Sequence, residues 1–245
     1  MKKALLIGSN GYLGEFWAKE LVEKGYETFG ISIGSNGKYI HQENFFEYDV
    51  SNKDWPDYIE NLLQALRPSA IIYNSGIDSP PGQGFSQFKD FDMEGWRKIF
   101  EVNLFAAVSV LNAISEIPDL NCRIILIGSQ YASVSPNKNL YSHQNNGNGS
   151  IKHPGYSASK SALKAVMKQY ATELADKGLV INMLSPGGIA NNQDIEFLNK
   201  FAERIPLRRL GEREELGSAL NFLLDENNTF CIGLDLLIDG GYSTW

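Results

Sequence analysis

The chain of 245 residues predicts an α/β fold, a doubly wound parallel sheet of seven strands with helices on both faces, and three observations carry that expectation. Short apolar runs recur along its length; amphipathic stretches separate most of them; neither a sequence repeat nor a Pro- or Ser-rich linker divides it. The length suits one α/β domain over 1–245 and is short for two ordinary domains with a linker.

The apolar runs read as strands at 4–7, 28–33, 44–48, 70–73, 123–127, 179–184 and 234–238. The first needs an argument, because MKKALLI imitates the start of a secretion signal. The apolar stretch stops at Ile7 and no small-residue cleavage site follows, so it reads as a strand. Helices are expected from EFWAKELVEKG at 15–25, DWPDYIENLLQALRP at 54–68 and EGWRKIFEVNLFAAVSVLNAI at 94–114, each with apolar residues at helical spacing. A further helix begins near Tyr156 and carries Leu163, Val166, Met167, Tyr170, Ala171 and Leu174 on one stripe, wide enough for a core alone or for core and neighbour together. Residues 137–149 are rich in Asn and Gly, bury little apolar area, and are expected to form a polar surface insertion over about 137–153, either a tolerated loop or a wall or lid of a site.

Composition excludes some function classes. A net charge of -7 with pI near 5.1 argues against nucleic acid or an anionic membrane as main partner, so an anionic small ligand needs a local cationic pocket. No apolar run approaches the roughly 20 residues of a membrane helix. Cys122 and Cys231 sit beside strand-like segments and read as reduced core thiols, which points to a cytoplasmic protein. No metal site is expected.

After the first strand comes Gly8-Ser-Asn10-Gly11-Tyr12-Leu13-Gly14, immediately before a helix. Glycines there permit a sharp turn and let a pyrophosphate approach amide N–H groups at the helix N-terminus, whose partial positive charge favours the anion. In dinucleotide folds an acid ending the second strand holds the ribose 2′-hydroxyl. Here Ser32 stands near that end without an acid, and Ser35 or Lys38 could meet a 2′-phosphate, which leans the cofactor towards NADP over NAD.

Tyr156 and Lys160 in GYSASK are four residues apart at a helix start and therefore share a face. An ammonium beside a phenol favours phenolate and brings the tyrosine towards the range of a general acid or base.

Taken with these motifs, the chain resembles the short-chain dehydrogenase/reductase family over essentially its whole length. GSNGYLG matches the family's glycine turn, and Asp49-Val50 its adenine-contacting acid. Asn74-Ser75-Gly76 resembles its Asn-Ala-Gly motif, and Val102-Asn103-Leu104 the helix with a structural and catalytic asparagine. Ser129 matches the catalytic serine, Tyr156 and Lys160 complete the tetrad, and Ser185-Pro186-Gly187-Gly188-Ile189 matches the motif flanking the nicotinamide. LDLLIDGG at 234–241 resembles the C-terminal strand and turn. The spacing around Gly11-Tyr12 and the presence of Asn191 in place of a pyrophosphate-binding threonine depart from the pattern and bear on the detailed cofactor contacts.

The resemblance implies a Rossmann-like fold and an NAD(P)-dependent enzyme interconverting an alcohol and a ketone. Lys160 would bind the nicotinamide ribose and lower the tyrosine's pKa, Ser129 would hydrogen-bond the substrate oxygen, Asn103 would hold a relay water, and Tyr156 would move the hydroxyl proton. Each residue keeps a plainer alternative: Asn103 as a backbone partner, Ser129 as a turn residue, Asp49 as a helix cap.

The segment between Ser129 and Tyr156 is longer than in ordinary members and brings Gln130, Tyr131, Tyr141, His143, Gln144, Asn145 and Asn146 towards the substrate side. Such a set suits a polyol or sugar. With SPGGIANNQDIEFLNKF, a substrate loop at about 188–210 and the C-terminal DGGYSTW, it is similar to short-chain enzymes of bacterial surface-sugar pathways, the flagellin-modification and nonulosonic-acid type. The expected substrate is a phosphorylated or nucleotide-activated sugar, with Arg208 and Arg209 as candidate anion contacts or as solvated surface residues. A 3-oxoacyl or small-ketone reductase is the alternative enzyme, favoured by an apolar cleft under 193–205, and a non-catalytic dinucleotide-sensing regulator the remote one. The resemblance also implies a homodimer or homotetramer, with the last residues, GYSTW, reaching a partner.

Overall fold

The structure, a computed structural model, describes residues 1–79, 87–144 and 149–245. Strands β1 (Lys3–Ile7), β2 (Glu27–Ser32), β3 (Phe45–Glu47), β4 (Ala70–Tyr73), β5 (Cys122–Ile127), β6 (Leu179–Pro186) and β7 (Asp235–Ile238) form one sheet in the order β3-β2-β1-β4-β5-β6-β7. All six neighbouring pairs are parallel. The burial of β1 explains its unbroken apolar run: Leu5 and Ile7 enter one core and Ala4 and Leu6 the other, so both faces are covered.

Helices α1 (Tyr12–Glu23), α2 (Trp55–Leu66), α3 (Met93–Phe100), α4 (Ala106–Ser115), α5 (Pro154–Glu173), α6 (Ile195–Arg204) and α7 (Gly217–Leu224) supply that cover. The core on one face takes residues of α2, α4 and α5, and the other takes residues of α1 and α7. In α2, Trp55, Ile59, Leu63 and Leu66 recur at helical spacing and are buried, each contributing roughly 1.5–3 kcal/mol of burial. Arg67 ends the helix in the left-handed region at φ 47°, and Pro68 cannot continue it.

The helix expected at 94–114 spans Met93–Ser115, but it is not uniform. A π turn over Glu101–Phe105 joins α3 to α4 and has Asn103 at its centre, a local widening of the kind found at functional sites. Among the described residues this is also the one helix long and apolar enough to cross a membrane, which corrects the expectation that no run reaches that length. It passes because the side facing α2, α5 and the sheet is a core face; 56% of its most apolar window is buried.

Three further expectations change. The 137–149 segment is not purely a polar surface loop: Asn137 caps a turn over Lys138–Tyr141, Leu140 is buried, and Tyr141 packs on Phe197 of α6. Tyr131, Leu140, Phe201, Ile205, Leu210 and Tyr242 make a third apolar cluster, built from the insertion, the substrate loop and the C-terminus. Counting Asn and Gly hid the two apolar residues that anchor it. The GYSTW tail folds back on its own chain, burying Tyr242 and donating Trp245 Nε1 to Arg204 O, although the Trp245 side chain stays exposed. Cys122 is a buried thiol as expected; Cys231 is only half-buried. Asn145 and Asn146 lie outside the described residues.

The start of α5 fixes the register of its Tyr and Lys. His153 is fully buried beside Phe91 and Trp96, its Nδ1 accepts the Gly155 N–H at 3.0 Å, and Pro154 occupies the first turn. Protonating Nδ1 would remove that acceptor. Burial, opposed by Asp92, holds the imidazole below its ordinary value of 6.5. Its share of stability is therefore complete above about pH 6.5 and is lost as pH falls from there towards the depressed folded value. Calorimetry should show a thermal midpoint that drops below pH 6.5 in the wild type and much less in His153→Asn, which keeps a cap without titrating; His153→Ala should cost ~2 kcal/mol.

Candidate active site

Strand order reverses between β1 and β4, and the crevice at such a point lies off the carboxyl ends of the strands. Two glycines make the turn after β1 possible. Gly8 adopts φ +84° and a Cβ there would lie 2.6 Å from Ser75 N; a Cβ on Gly14 would lie 2.2 Å from Gly8 O. Gly11, by contrast, would hold a Cβ at ordinary contact distance, 3.8 Å from Gly8 O and 3.9 Å from Asn74 Nδ2, and is the N-cap of α1 without any side-chain cap. The amide end of α1 is left for an outside anion. Asn74 rivets the turn to β4, donating to Gly8 O at 2.8 Å while its Oδ1 accepts from Trp17 Nε1 at 2.9 Å.

A cleft of about 500 Å³ opens beside this turn. Tyr12 and Leu13 line one side, Asn74 and Gly76 the floor after β4, and Ser129, Tyr156 and Lys160 the wall. Pro186, Gly187 and Ile189 close it from β6, and Tyr12 Oη reaches across to donate to Ala190 O at 2.7 Å. These are the sequence-predicted residues that the fold brings together. A phosphate-receptive turn, an uncapped helix end and a polar cleft leading to a Tyr and a Lys fit a nicotinamide dinucleotide, with its pyrophosphate at Gly11, Tyr12 and Leu13.

Other predicted cofactor residues lie at its margin. Asn10 bonds both Ser32 Oγ and Ile33 O, so Ser32 is nearly buried with its hydroxyl committed. Lys38 Nζ lies 5.3 Å from the Tyr39 ring, and the Glu15 carboxylate flanks Gly37. Asp49 does not cap α2, whose N-cap is Asp54, but is engaged in the turn before it: Oδ1 accepts Ser51 N and Oγ, and Lys98 approaches at 3.9 Å. Burial would raise this carboxyl, but Ser51 and Lys98 together hold it below the usual range. The Val50 side chain belongs to the core. Ser75 packs under Gly8 and bonds Ile7 O through its N–H.

Asn103 is fully buried and its side chain is saturated. Oδ1 accepts Ile77 N at 2.8 Å; Nδ2 donates to Ile77 O at 2.9 Å and to Ser159 Oγ at 3.0 Å. It clamps the loop after β4 to α5, so the structure places it as a backbone partner and positioning group. Ser129 caps a turn by accepting Tyr131 N, and its hydroxyl is a neighbour that acts to lower the pKa of Tyr156.

Lys160 is 4% exposed, and its Nζ donates to Ile127 O at 2.8 Å. Burial lowers its pKa to about 8. For Tyr156, burial raises the phenol, and the charge that pulls it back first is Lys152, followed by the bond from Ser129; Asp78 and Tyr141 push it up. The expectation that Lys160 supplies the acidifying ammonium is corrected here: its Nζ lies 5.9 Å from the Tyr156 ring centroid, and Lys152 lies at 4.8 Å. Helical spacing drew attention to the residue four positions after the tyrosine; Lys152, four positions before it and outside α5, has no such signature.

The predicted substrate residues mostly miss the cleft lining. Gln130 and Tyr131 are buried behind it, with Tyr131 edge-on to Tyr156. Tyr141 packs against α6. His143 contacts Asp194 at 2.8 Å and Lys200 Nζ at 3.3 Å, tying the insertion to α6, and Gln144 is outside the lining. Asp78, Ser79, Asn191 and Gln193 line it instead. Arg209 forms a bidentate pair with Glu215 at 2.6 and 2.7 Å, and Arg208 donates to Glu203 O, so both candidate anion contacts are engaged.

Residues 13–243 match a family model described as enoyl-(acyl carrier protein) reductase. The chain is 28% identical over 255 residues to a 3-oxoacyl-(acyl-carrier-protein) reductase of Buchnera aphidicola, covering 98% of this chain and 96% of that protein. It is 27% identical over 256 residues to a 2-dehydro-3-deoxy-D-gluconate 5-dehydrogenase of Bacillus subtilis, covering 98% and 94%. A short-chain dehydrogenase of Leptospira borgpetersenii solved with NAD+ superposes with TM-score 0.86 at 23% identity, over 99% of this chain and 92% of that one. A ligand-free aldohexose dehydrogenase of Thermoplasma acidophilum gives 0.78 at 22%, over 100% and 95%. At those identities the two structures speak for the fold.

A buried ammonium with one carbonyl partner opposes folding. Below about pH 8 Lys160 is charged in both states and the folded state bears the desolvation cost; between 8 and its ordinary value of 10.5 only the unfolded chain holds the proton, so stability rises with pH. Lys160→Met should therefore stabilise the cofactor-free protein by about 2 kcal/mol at pH 7, with the advantage narrowing from pH 8 to 10. Denaturant melts across that range check it, and a destabilised variant at pH 7 refutes it.

Proposed function

We propose, from the premise that the chain belongs to the short-chain dehydrogenase/reductase family, that Tyr156 is the general acid/base of an alcohol–ketone interconversion, with a sugar-like polyol as substrate. The chain is an NAD(P)-dependent oxidoreductase acting on CH–OH or carbonyl carbons. One observation carries the assignment of residues: Tyr156, Ser129 and Lys160, from two different elements, line one cleft beside the uncapped end of α1.

When bound, the nicotinamide supplies the hydride chemistry. The chain's residues do the rest. Gly11, Tyr12 and Leu13 would hold the pyrophosphate; Pro186, Gly187 and Ile189 would shape the nicotinamide end; Lys160 would hold its ribose. Ser129 orients the substrate oxygen, and Tyr156 gives that oxygen a proton in reduction or takes one in oxidation. Asn103 holds Ile77 and Ser159 so that these groups face one another.

Two supports favour a polyol over an acyl chain. The lining adds Asp78, Ser79, Asn191 and Gln193, all polar, and the apolar space under 193–205 is filled by the chain's own Phe201, Ile205 and Tyr242. The 3-oxoacyl reductase reading draws on the Buchnera relative, but identities of 28% and 27% do not separate it from a sugar-acid enzyme. Phosphorylated or nucleotide-activated sugars of bacterial surface glycans are proposed from the segments 185–201 and 137–153; with Arg208 and Arg209 engaged, the cation lining the cleft is Lys160, with Lys152 over the Tyr156 ring. Exposed Phe105 on the outer side of the Met93–Ser115 helix supports a proposed homodimer or homotetramer.

For the cofactor, we propose NAD over NADP. Ser32 is committed to Asn10, and the Glu15 carboxylate beside Gly37 would repel a 2′-phosphate.

Tyr156→Phe is expected to reduce turnover at least 1,000-fold with sugar and sugar-acid substrates while dinucleotide binding, read by quenching of protein fluorescence, stays within a few-fold. Activity surviving in that variant removes the assignment; turnover of acyl substrates alone removes the polyol. In the same quenching assay NAD should bind at least tenfold more tightly than NADP, and Glu15→Gln should narrow the gap.

A further inference from the structure

Lys152 belongs to none of the matched motifs. It lies in the last residues of the insertion, and its Nζ stands 4.8 Å from the centroid of the Tyr156 ring, 5.8 Å from that of Tyr131 and 2.8 Å from Asp78 Oδ2. Its side chain is 15% exposed, whereas that of Asp78 is 62% exposed. The ammonium is thus enclosed by two aromatic rings and the carboxylate sits on the solvent side of it.

We propose that Lys152 is a positioning residue for the phenol of Tyr156, the cation that favours its ionised form, and that Asp78 is the counter-charge that moderates it. The proposal rests on Tyr156 being the general acid/base. Several groups face that phenol from the elements around it. Ser129 and Tyr131 come from the end of β5, Tyr141 from the insertion, Asp78 from the loop after β4, and Lys160 from α5 itself. Of these only Lys152 and Lys160 are cations, and Lys160 is turned to Ile127 O.

A charge at about 5 Å from a partly desolvated phenol is worth of the order of one to three pH units. Lys152 keeps that charge: burial acts to neutralise it, but Asp78, Tyr141 and Tyr156 together raise it above its ordinary value. A salt bridge serving only to tie the insertion to the β4 loop would be broken alike by removing either partner. An electrostatic pair has a different signature, because its two members act on Tyr156 with opposite sign.

The test uses protein labelled with ¹³C at the tyrosine ζ carbon, the Tyr156 resonance being the one that Tyr156→Phe deletes, and follows its shift against pH without substrate. Lys152→Gln should move the titration midpoint up by about one pH unit or more, Asp78→Asn should move it down, and Lys152→Arg should leave it near the wild-type value. Midpoints that do not move, or that move the same way in Lys152→Gln and Asp78→Asn, overturn the proposal. Turnover by Tyr156→Phe is measured alongside: an active variant rejects the assignment of the phenol, whereas an inactive one with unmoved midpoints rejects only Lys152.

Discussion

The buried amide of Asn103 is the contact on which the arrangement of the site depends. Its two ends are bonded to both backbone groups of Ile77 and to Ser159, and Ser159 Oγ in turn donates to Tyr156 O. Three elements that share no strand pairing, the π turn between α3 and α4, the loop after β4 and the first turn of α5, are thereby fixed in one mutual rotation. A regular helix would place Asn103 on its i, i+4 ladder; the π turn inserts the extra residue that turns the amide to the sheet edge. With every polar atom of the amide satisfied, burial costs little, and any shift of α5 along its axis would leave buried donors unpaired.

Around that fixed point the site is assembled from groups that do not favour folding by themselves. Lys160 is an ammonium nearly out of reach of water, answered by a single carbonyl, and Gly8 adopts a backbone conformation closed to most side chains. The two sheet cores on either side hold these groups where they are. A bound dinucleotide would bring anionic and hydroxyl partners to the same place, so the strain has the sense expected of a binding site whose free form is less stable than it could be.

The parallel sheet was legible because buried strands read as apolar runs and the helices between them as amphipathic ones, and all seven strands lie within a residue or so of the expected bounds. Gly8 and Gly14 were legible for a local reason, since a tight turn between a strand and a helix needs them. Tyr156 and Lys160 share a helix and so carry a fixed offset. The insertion was not legible in this way. Its placement depends on Leu140 and Tyr141 finding Phe201 and Phe197 some sixty residues on, and on His143 meeting Asp194, none of which leaves a periodic trace. The two readings of Arg209 stayed open for the same reason: nothing local says that its partner is Glu215 and not a ligand. Lys152 comes from the segment whose composition looks least informative.

The proposal that Tyr156 is the phenol in use draws support from a comparison with two other buried tyrosines. Burial pushes Tyr131, Tyr73 and Tyr156 alike towards the neutral phenol. Tyr73 has no cation against it, and its hydroxyl donates to Val102 O, a bond that phenolate could not make. Tyr131 sees Lys152 from a greater distance and lies behind the lining. Tyr156 alone among these three combines an open cleft, a hydroxyl partner in Ser129 and ammonium groups on two sides. Burial still raises the Tyr156 phenol above its ordinary value, and Lys152 and Ser129 are what limit that rise in a pocket that favours the protonated form of all three.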